Sequence, residues 1–484
     1  MKIGKFLYIF TFFIVACFGN LLMFSYNVDA MLGLKTLGYF VLAEFLLFLY
    51  FNTKINGKFL NFASVFVIVL FIFNFGQLML YTFFRNVYPH IRFLLLLSSD
   101  NAFNGFKIIG LAFDAILLGI LISCSNSDSE TVLQKDFDIN AQYDWEKVAK
   151  SVIVLTFPVK LALDLYALFV SVAQGGAEAR EWVNTFPNVF LYYGKISLVG
   201  FALLLVVYKT KPQTQKRLFW FVEIYILIMM TSGIRSENVG YMLVMMFIYF
   251  ASRRDKIHIP SVVLYGFLGY LVLTFVVVAG QFRSIETKNI TTLMEYFSKA
   301  FTEKNVILFL FDQLGDTGYT AQCVINKWLP NLPTFNGMSY VWGWFAVIPN
   351  IPGITNLPGQ MTKRSSFPLY LQEYGTLNGN YLNIGGSLIG ELFFNFNILG
   401  GIVAALFIGL LIGKISRKSA LHFKMQNYYG LVKYIPIMFT CIYWIRDYFG
   451  GGIREAVWGP LMCLFVMGAC KRKVKNDVSD NQSL

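Results

Sequence analysis

Residues 209–256 read KTKPQTQKRLFWFVEIYILIMMTSGIRSENVGYMLVMMFIYFASRRDK. Two basic clusters, Lys209/Lys211/Lys216/Arg217 and Arg253/Arg254/Lys256, bound a largely apolar stretch that is interrupted by GIRSEN at 233–238. Basic clusters mark the cytoplasmic side of a bilayer, so the chain has to cross and return between them. Each crossing then has about 15 residues, near 22 Å, against about 30 Å of hydrocarbon. The turn carrying Arg235, Ser236 and Glu237 is therefore expected to sit recessed below the outer surface.

The rest of the chain repeats this alternation. Of 484 residues 56% are hydrophobic and 14% charged, whereas soluble chains carry about 25% charged residues. The apolar residues fall in blocks near 6–26, 31–51, 59–84, 107–124, 151–173, 187–208, 218–232, 238–252, 259–280, 386–413, 429–448 and 453–470. This predicts an all-α polytopic membrane protein of about twelve transmembrane helices. Segment 1 follows Lys2 and Lys5 as a signal peptide would, but its length and the span directly after it read as a retained helix.

With both termini cytoplasmic, the even-numbered connections hold Lys54/Lys58, the two clusters above, Lys414/Arg417/Lys418/Lys424 and the tail Lys471/Arg472/Lys473/Lys475. The net charge of +13 is thus spread over short loops, which suits orientation in a membrane and not nucleic acid. The cytoplasmic connection 125–150 is acidic, with Asp128, Glu130, Asp136, Asp138, Asp144 and Glu146, and reads as a solvated connector. The six cysteines form no CxxC pair and support neither a disulfide framework nor a zinc site.

The chain divides into spans 1–9 (1–280), a large extracytoplasmic loop between spans 9 and 10 (281–385), spans 10–12 (386–470) and a basic cytoplasmic tail (471–484). The loop is aromatic-rich, with a helical pattern at 290–314, and predicts an ordered lid on the membrane surface. Six of the chain's 13 prolines fall between Pro330 and Pro368, which excludes regular helix there.

Candidate chemistry gathers on the outer side. Arg235, Arg283, Arg364, Arg446 and Arg454 are separated in sequence yet able to converge on one cavity. Arginine's planar, permanently charged fork suits bidentate phosphate binding, although an interfacial anchor explains each one taken alone. Arg235 and Glu237 also have the simpler reading of a local pair that snorkels to the interface. Gly450-Gly451-Gly452 lets backbone N–H groups approach an anion between Arg446 and Arg454, and equally makes a tight turn.

Outer acid–base candidates are Glu237, Glu286, Asp312, Asp316, Glu373, Asp447 and Glu455, with His90 as the histidine on that side. Glu391 lies inside the apolar run 385–413, where it must be paired or line a polar cavity; helix packing against Asn395 or an arginine is the plain alternative. HExxH, P-loop and GxGxxG patterns are missing, so no metal or nucleotide cofactor is expected.

TSGIRSENVG (231–240), GQFRS (280–284), GGSLIGELFFNFNILGGIVAALFIGLLIG (385–413) and IRDYFGGGIRE (445–455), set in many spans with a large late outer loop, resemble the Wzy-type polymerases of O-antigen and capsule assembly. The resemblance implies transfer of a growing glycan from one polyprenyl diphosphate to the acceptor sugar of another polyprenyl-diphosphate-linked repeat unit. The setting would be the outer (periplasmic) face of the bacterial plasma membrane, without cofactor. Arg235, Arg283, Glu237 and Glu391 would serve catalysis. Arg364, Arg446, Arg454, Trp342, Trp344 and His90 would bind diphosphate or glycan. Expected partners are the lipid-linked substrates, the bilayer, a chain-length regulator and a flippase, and no nucleic acid.

Two other readings share the layout. One is an O-antigen ligase or another polyprenyl-phosphate glycosyltransferase; an acidic pair in the first outer loop would favour the latter, and that loop here holds Asp29 alone. A flippase or transporter would favour paired repeats and little mass outside the membrane.

Overall fold

The structure is a computed structural model that describes residues 3–25, 29–87, 91–125, 139–173, 188–230, 235–252, 306–349, 357–377 and 384–471, with a few single positions besides. Among these the fold is all-helical. Ile3–Ser25 (α1), Ala30–Asn56 (α2), Phe62–Phe84 (α3), the short Arg92–Leu96 (α4), Ser99–Ser125 (α5), Trp145–Ala173 (α6) and Asn188–Val207 (α7) come first. Pro212–Met230 (α8), Arg235–Ser252 (α9) and Val306–Cys323 (α10) follow. Met338–Phe345 (α11), Leu357–Ser365 (α12), Phe367–Leu377 (α13), Leu388–Met425 (α14), Tyr428–Trp444 (α15) and Phe449–Met467 (α16) complete it. The proline-rich stretch 330–368, expected to exclude regular helix, thus holds α11, α12 and the start of α13; Pro358 and Pro368 stand in first turns, where proline's missing N–H breaks no helical hydrogen bond.

Eight of these helices are long and apolar enough to cross a membrane: α1, α2, α3, α5, α6, α7, α14 and α16. The chain is a multi-pass membrane protein. The expected spans at 218–232, 238–252 and 429–448 appear as α8, α9 and α15, of 19, 18 and 17 residues. The expected span at 259–280 lies outside the described residues, single positions apart.

Capping chemistry sets the breaks. Asp29 accepts from the backbone N–H of Met31 and Leu32 to start α2, and Gly57, at φ 72°, closes it in the left-handed conformation. Asn61 then caps α3 on Ser64. Asn52 donates to both Asn61 and Ser64, at 3.1 and 2.9 Å, and Ser416 of α14 accepts from Ala63 N–H at 3.1 Å.

Contacts between connections fix the relative direction of the helices. Asn140 Nδ2 donates to the Gln426 carbonyl at 3.2 Å, and Asp144 N–H donates to the Cys470 carbonyl at 3.2 Å. Lys211 reaches Glu146 at 3.2 Å. Residues near 57–61, 139–146, 208–211, 414–427 and 470–471 therefore share one end of the bundle; the cluster Arg253/Arg254/Lys256 lies outside the described residues.

Two close approaches hold the bundle. A Cβ on Gly409 of α14 would lie 2.2 Å from the Ile116 carbonyl of α5, and one on Gly315 of α10 would lie 2.5 Å from Gln77 N of α3. Gly409→Ala is expected to force these backbones apart and destabilise the protein by about 1–3 kcal/mol. A lowered unfolding temperature in detergent checks this; an unchanged one rules out the close contact.

α10, which falls within the expected outer segment, thus packs along α3. α14 is kinked at Asn397, with φ 61° and ψ −176°. This conformation is nearly reserved for glycine, and the Asn397 side chain accepts from Ile398 N–H at 2.6 Å. The kink separates a short first leg, buried from Leu388 to Asn395, from a long second leg against α5. Trp328, Phe335, Phe367 and Tyr370 stack around Phe394 on the first leg. Residues 328–335 and 367–370 are anchored there by aromatic packing.

Candidate active site

At the end of the bundle opposite the basic turns, α16 starts with Gly450-Gly451-Gly452 and carries Arg454 and Glu455. A Cβ on Gly450 would lie 2.2 Å from Ser365 Oγ, and one on Gly343 would lie 3.1 Å from Gly450 Cα. Only a small residue allows α11 and α12 to rest on this turn, and that approach brings their polar groups to Arg454.

Arg454 is 1% exposed. Its Nε donates to the Ala346 carbonyl at 2.5 Å and its Nη2 to Thr362 Oγ1 at 2.6 Å. The guanidinium lies over the Tyr192 ring, 4.7 Å from the centroid, and Tyr192 is held by its hydroxyl on the Gly451 carbonyl at 2.9 Å. Nη1 is buried and has no hydrogen-bond partner. Among the described residues no carboxylate lies within ion-pairing distance of Arg454, so the charge is met by a carbonyl, a hydroxyl and a ring face. A buried cation without an anion is costly to maintain. Such a site is completed by an anionic group with several acceptor oxygens.

One helical position further on, Glu455 belongs to a second group. Lys195 of α7 pairs with Glu237 of α9 at 2.5 Å and stands 3.6 Å from Glu455. Tyr241 Oη is 2.6 Å from Glu237 Oε1 and 2.5 Å from Glu455 Oε1. Lys195 also lies over the Tyr192 ring, 4.6 Å from its centroid. Tyr192 thus has the two cations Arg454 and Lys195 against it, joining the two groups into one polar region. Deeper along α6, Lys160 pairs with Asp164 at 2.9 Å, and Tyr225 donates to Asp164.

Glu391, in the first turn of α14, is 0% exposed. Its Oε1 accepts from Ser339 Oγ at 3.0 Å, and its Oε2 accepts from Trp444 Nε1 at 2.6 Å and Phe449 N–H at 2.8 Å. Asn395 donates to Ser339 Oγ at 2.8 Å. The carboxylate therefore ties α11, α14, α15 and the start of α16 together, and Asn395 is linked to it through Ser339.

The other candidates divide. Arg364 is exposed in the last turn of α12, two residues from Thr362, and Trp344 of α11 is 56% exposed and stacks 6.0 Å from Phe449. Both lie near Arg454. Trp342 packs edge-on to Phe335 at 5.7 Å, within the aromatic cluster. Arg446 lies over Phe73 of α3, 5.6 Å from its centroid, on the side where Arg92 pairs with Asp316 and Gln77 donates to Asp316 at 2.8 Å. Arg235 opens α9, two residues before Glu237, and its side chain lies outside the described residues. So do Arg283 and His90.

Lys195, Tyr241, Tyr192 and Thr362 are not among the residues expected from the sequence. The available signal for Lys195 was a lone cation inside the apolar helix YYGKISLVG at 192–200 read with its neighbours; Tyr241 and Thr362 carry no charge to mark them.

A family model described as O-antigen polysaccharide polymerase Wzy matches residues 6–477. No curated protein and no solved structure matches the chain. With nearly all of the chain covered by that match, and a multi-pass helical bundle beneath it, the protein belongs to the O-antigen polysaccharide polymerase Wzy family.

Proposed function

We propose that the protein polymerises lipid-linked oligosaccharide repeat units, moving a growing glycan from one polyprenyl diphosphate to the acceptor sugar of another carrier-linked unit. Membership in the polymerase family supports the reaction class. The observation that carries the reading to this site is Arg454, a buried guanidinium with an unpartnered Nη1 and, among the described residues, no carboxylate in ion-pairing distance. A diphosphate supplies the missing acceptors and charge. Its departure from the sugar C1 develops further negative charge, which a fixed cation stabilises most where water is excluded.

Arg364 and Trp344, on the exposed side of the same region, suit a phosphate oxygen and a sugar face. Arg235 and Arg283 are proposed as further phosphate contacts, and Glu391 as a positioning residue for the turn that presents Arg454. The basic turns share the opposite end, and the positive-inside rule makes that end cytoplasmic. The site then opens to the outer face of a bacterial plasma membrane, where a flippase would deliver repeat units and a chain-length regulator would act.

Deletion in the native strain, followed by sizing of the surface glycan, tests this. Single repeat units on the lipid acceptor are the expected result. Complete chains stranded on polyprenyl diphosphate would instead make the protein a ligase, and loss of every outward repeat unit would make it a flippase.

A further inference from the structure

The hydrogen atoms around Tyr241 do not suffice for its contacts. Its hydroxyl carries one hydrogen, yet its oxygen is 2.6 Å from one carboxyl oxygen, on Glu237, and 2.5 Å from another, on Glu455. Two bare acceptor oxygens do not rest at that distance, because a carboxylate has only lone pairs to present. One contact is Tyr241 O–H donating; the other needs a hydrogen on a carboxyl. Lys195 is 2.5 Å from Glu237 and 3.6 Å from Glu455, so the cation holds Glu237 as the carboxylate and leaves the extra hydrogen on Glu455. The resting order is Glu455 O–H to Tyr241 O–H to the Glu237 carboxylate, closed by the Lys195 ammonium.

This chain of groups stands next to the anion site. Glu455 follows Arg454 on α16, and Lys195 and Arg454 lie over the same Tyr192 ring. The side chains of Lys195, Glu237 and Glu455 are 19, 15 and 12% exposed, so the group is sheltered and not sealed.

We propose that Glu455, Tyr241 and Glu237 form a proton relay that accepts the hydrogen of the acceptor sugar hydroxyl during glycan transfer; the assignment rests on the polymerase reading above. As the acceptor oxygen attacks the sugar C1, the C1–O bond to the diphosphate breaks and its electron pair leaves with the diphosphate. The acceptor's hydrogen passes to the free carboxyl oxygen of Glu455. Glu455 hands the hydrogen it already holds to Tyr241, and Tyr241 hands its own to Glu237. No hydrogen is lost, and both carboxyls end neutral. The relay gains one unit of positive charge as the neighbouring diphosphate gains one of negative charge. Glu455 is the catalytic residue here; Tyr241, Glu237 and Lys195 are positioning residues that act through it.

Tyr241→Phe and Glu455→Gln separate this role from a structural one, since Tyr241→Phe keeps the ring that packs edge-on to Phe439 at 5.2 Å. The assay uses membranes holding the full-length protein and, as substrate, the lipid-linked repeat units that accumulate in the deletion strain. General acid–base groups contribute about 10²–10⁴-fold. Each variant is expected to lose at least about 100-fold in kcat with KM and unfolding temperature held, and the double variant is expected to lose little more, as members of one unit do. Glu455→Asp is expected to recover part of the loss. A near-normal kcat in Glu455→Gln, or losses confined to KM and unfolding temperature, overturns the relay. Wild-type membranes that fail to extend these units overturn the polymerase reading instead.

Discussion

Arg454→Ala is expected to reduce glycan extension by at least about 10²–10³-fold, the loss that accompanies removal of one group aimed at developing charge. Arg454→Lys is expected to recover little. The guanidinium reaches in three directions at once: Nε to the Ala346 carbonyl, Nη2 to Thr362, and Nη1 to no hydrogen-bond partner among the described residues. A lysine has one nitrogen, and a nitrogen placed to hold Ala346 and Thr362 has no rigid fork left for a phosphate. Thr362→Val removes one anchor while keeping the charge, and is expected to weaken extension by no more than about tenfold, in line with one lost hydrogen bond. The measurement is the chain-length ladder of surface glycan in a complemented deletion strain, with membrane levels of each variant matched. Full-length chains from Arg454→Lys would show that Arg454 offers general positive charge and not a fork, and full-length chains from Arg454→Ala would remove it from the site.

A helix pair is present between the two basic clusters as α8 and α9, of 19 and 18 residues because the helices extend beyond the apolar blocks, and its signal was local: two apolar blocks parted by a polar turn. The shared end of the basic turns was legible for the same reason, since each cluster is read from its own neighbours. The kink at Asn397 was not legible. No proline or glycine stands at that position, and the break follows from fitting the first leg of α14 under an aromatic cluster built from distant residues. The path of α10 likewise depends on Gly76 of α3 meeting Gly315, a pairing with no mark in either segment alone.

The site was legible in its charges and not in its partners. Arg454 and Glu455 are adjacent in IRE, one a candidate for phosphate and the other for acid–base work. Consecutive helical residues point about 100° apart, and the structure sends one to Ala346 and Thr362 and the other to Tyr241. The partners of Arg454 are neutral, so no charge pattern could have announced them. Lys195 was hidden differently, by an apolar helix that gives one cation no companion in sequence; its companions come from α9 and α16.

Glu391 gives the second large effect, and here the expected loss is of the folded protein. Three donors from three elements, two buried and one partly buried, converge on this carboxylate: Ser339 O–H of α11, Trp444 Nε1–H of α15 and the Phe449 N–H at the start of α16. Glu391→Ala leaves all three without an acceptor, and each stranded donor costs about 1–3 kcal/mol. A loss of roughly 3–5 kcal/mol follows, comparable with breaking a buried charge interaction and a large share of a typical folding free energy. Glu391→Gln is milder. Its carbonyl oxygen can still face Trp444 and Phe449 while its amide donates to Ser339 Oγ, an oxygen with lone pairs to receive it. The alanine variant is therefore expected to vanish from the membrane fraction, and the glutamine variant to accumulate and to extend glycan at a rate within about tenfold of the wild type. Membrane abundance and chain length, measured together, separate the two roles. A carboxylate that only ties helices tolerates the amide, whereas one that takes part in the chemistry does not. A glutamine variant that accumulates normally yet yields single repeat units would move Glu391 from the scaffold of the Arg454 turn into the reaction itself.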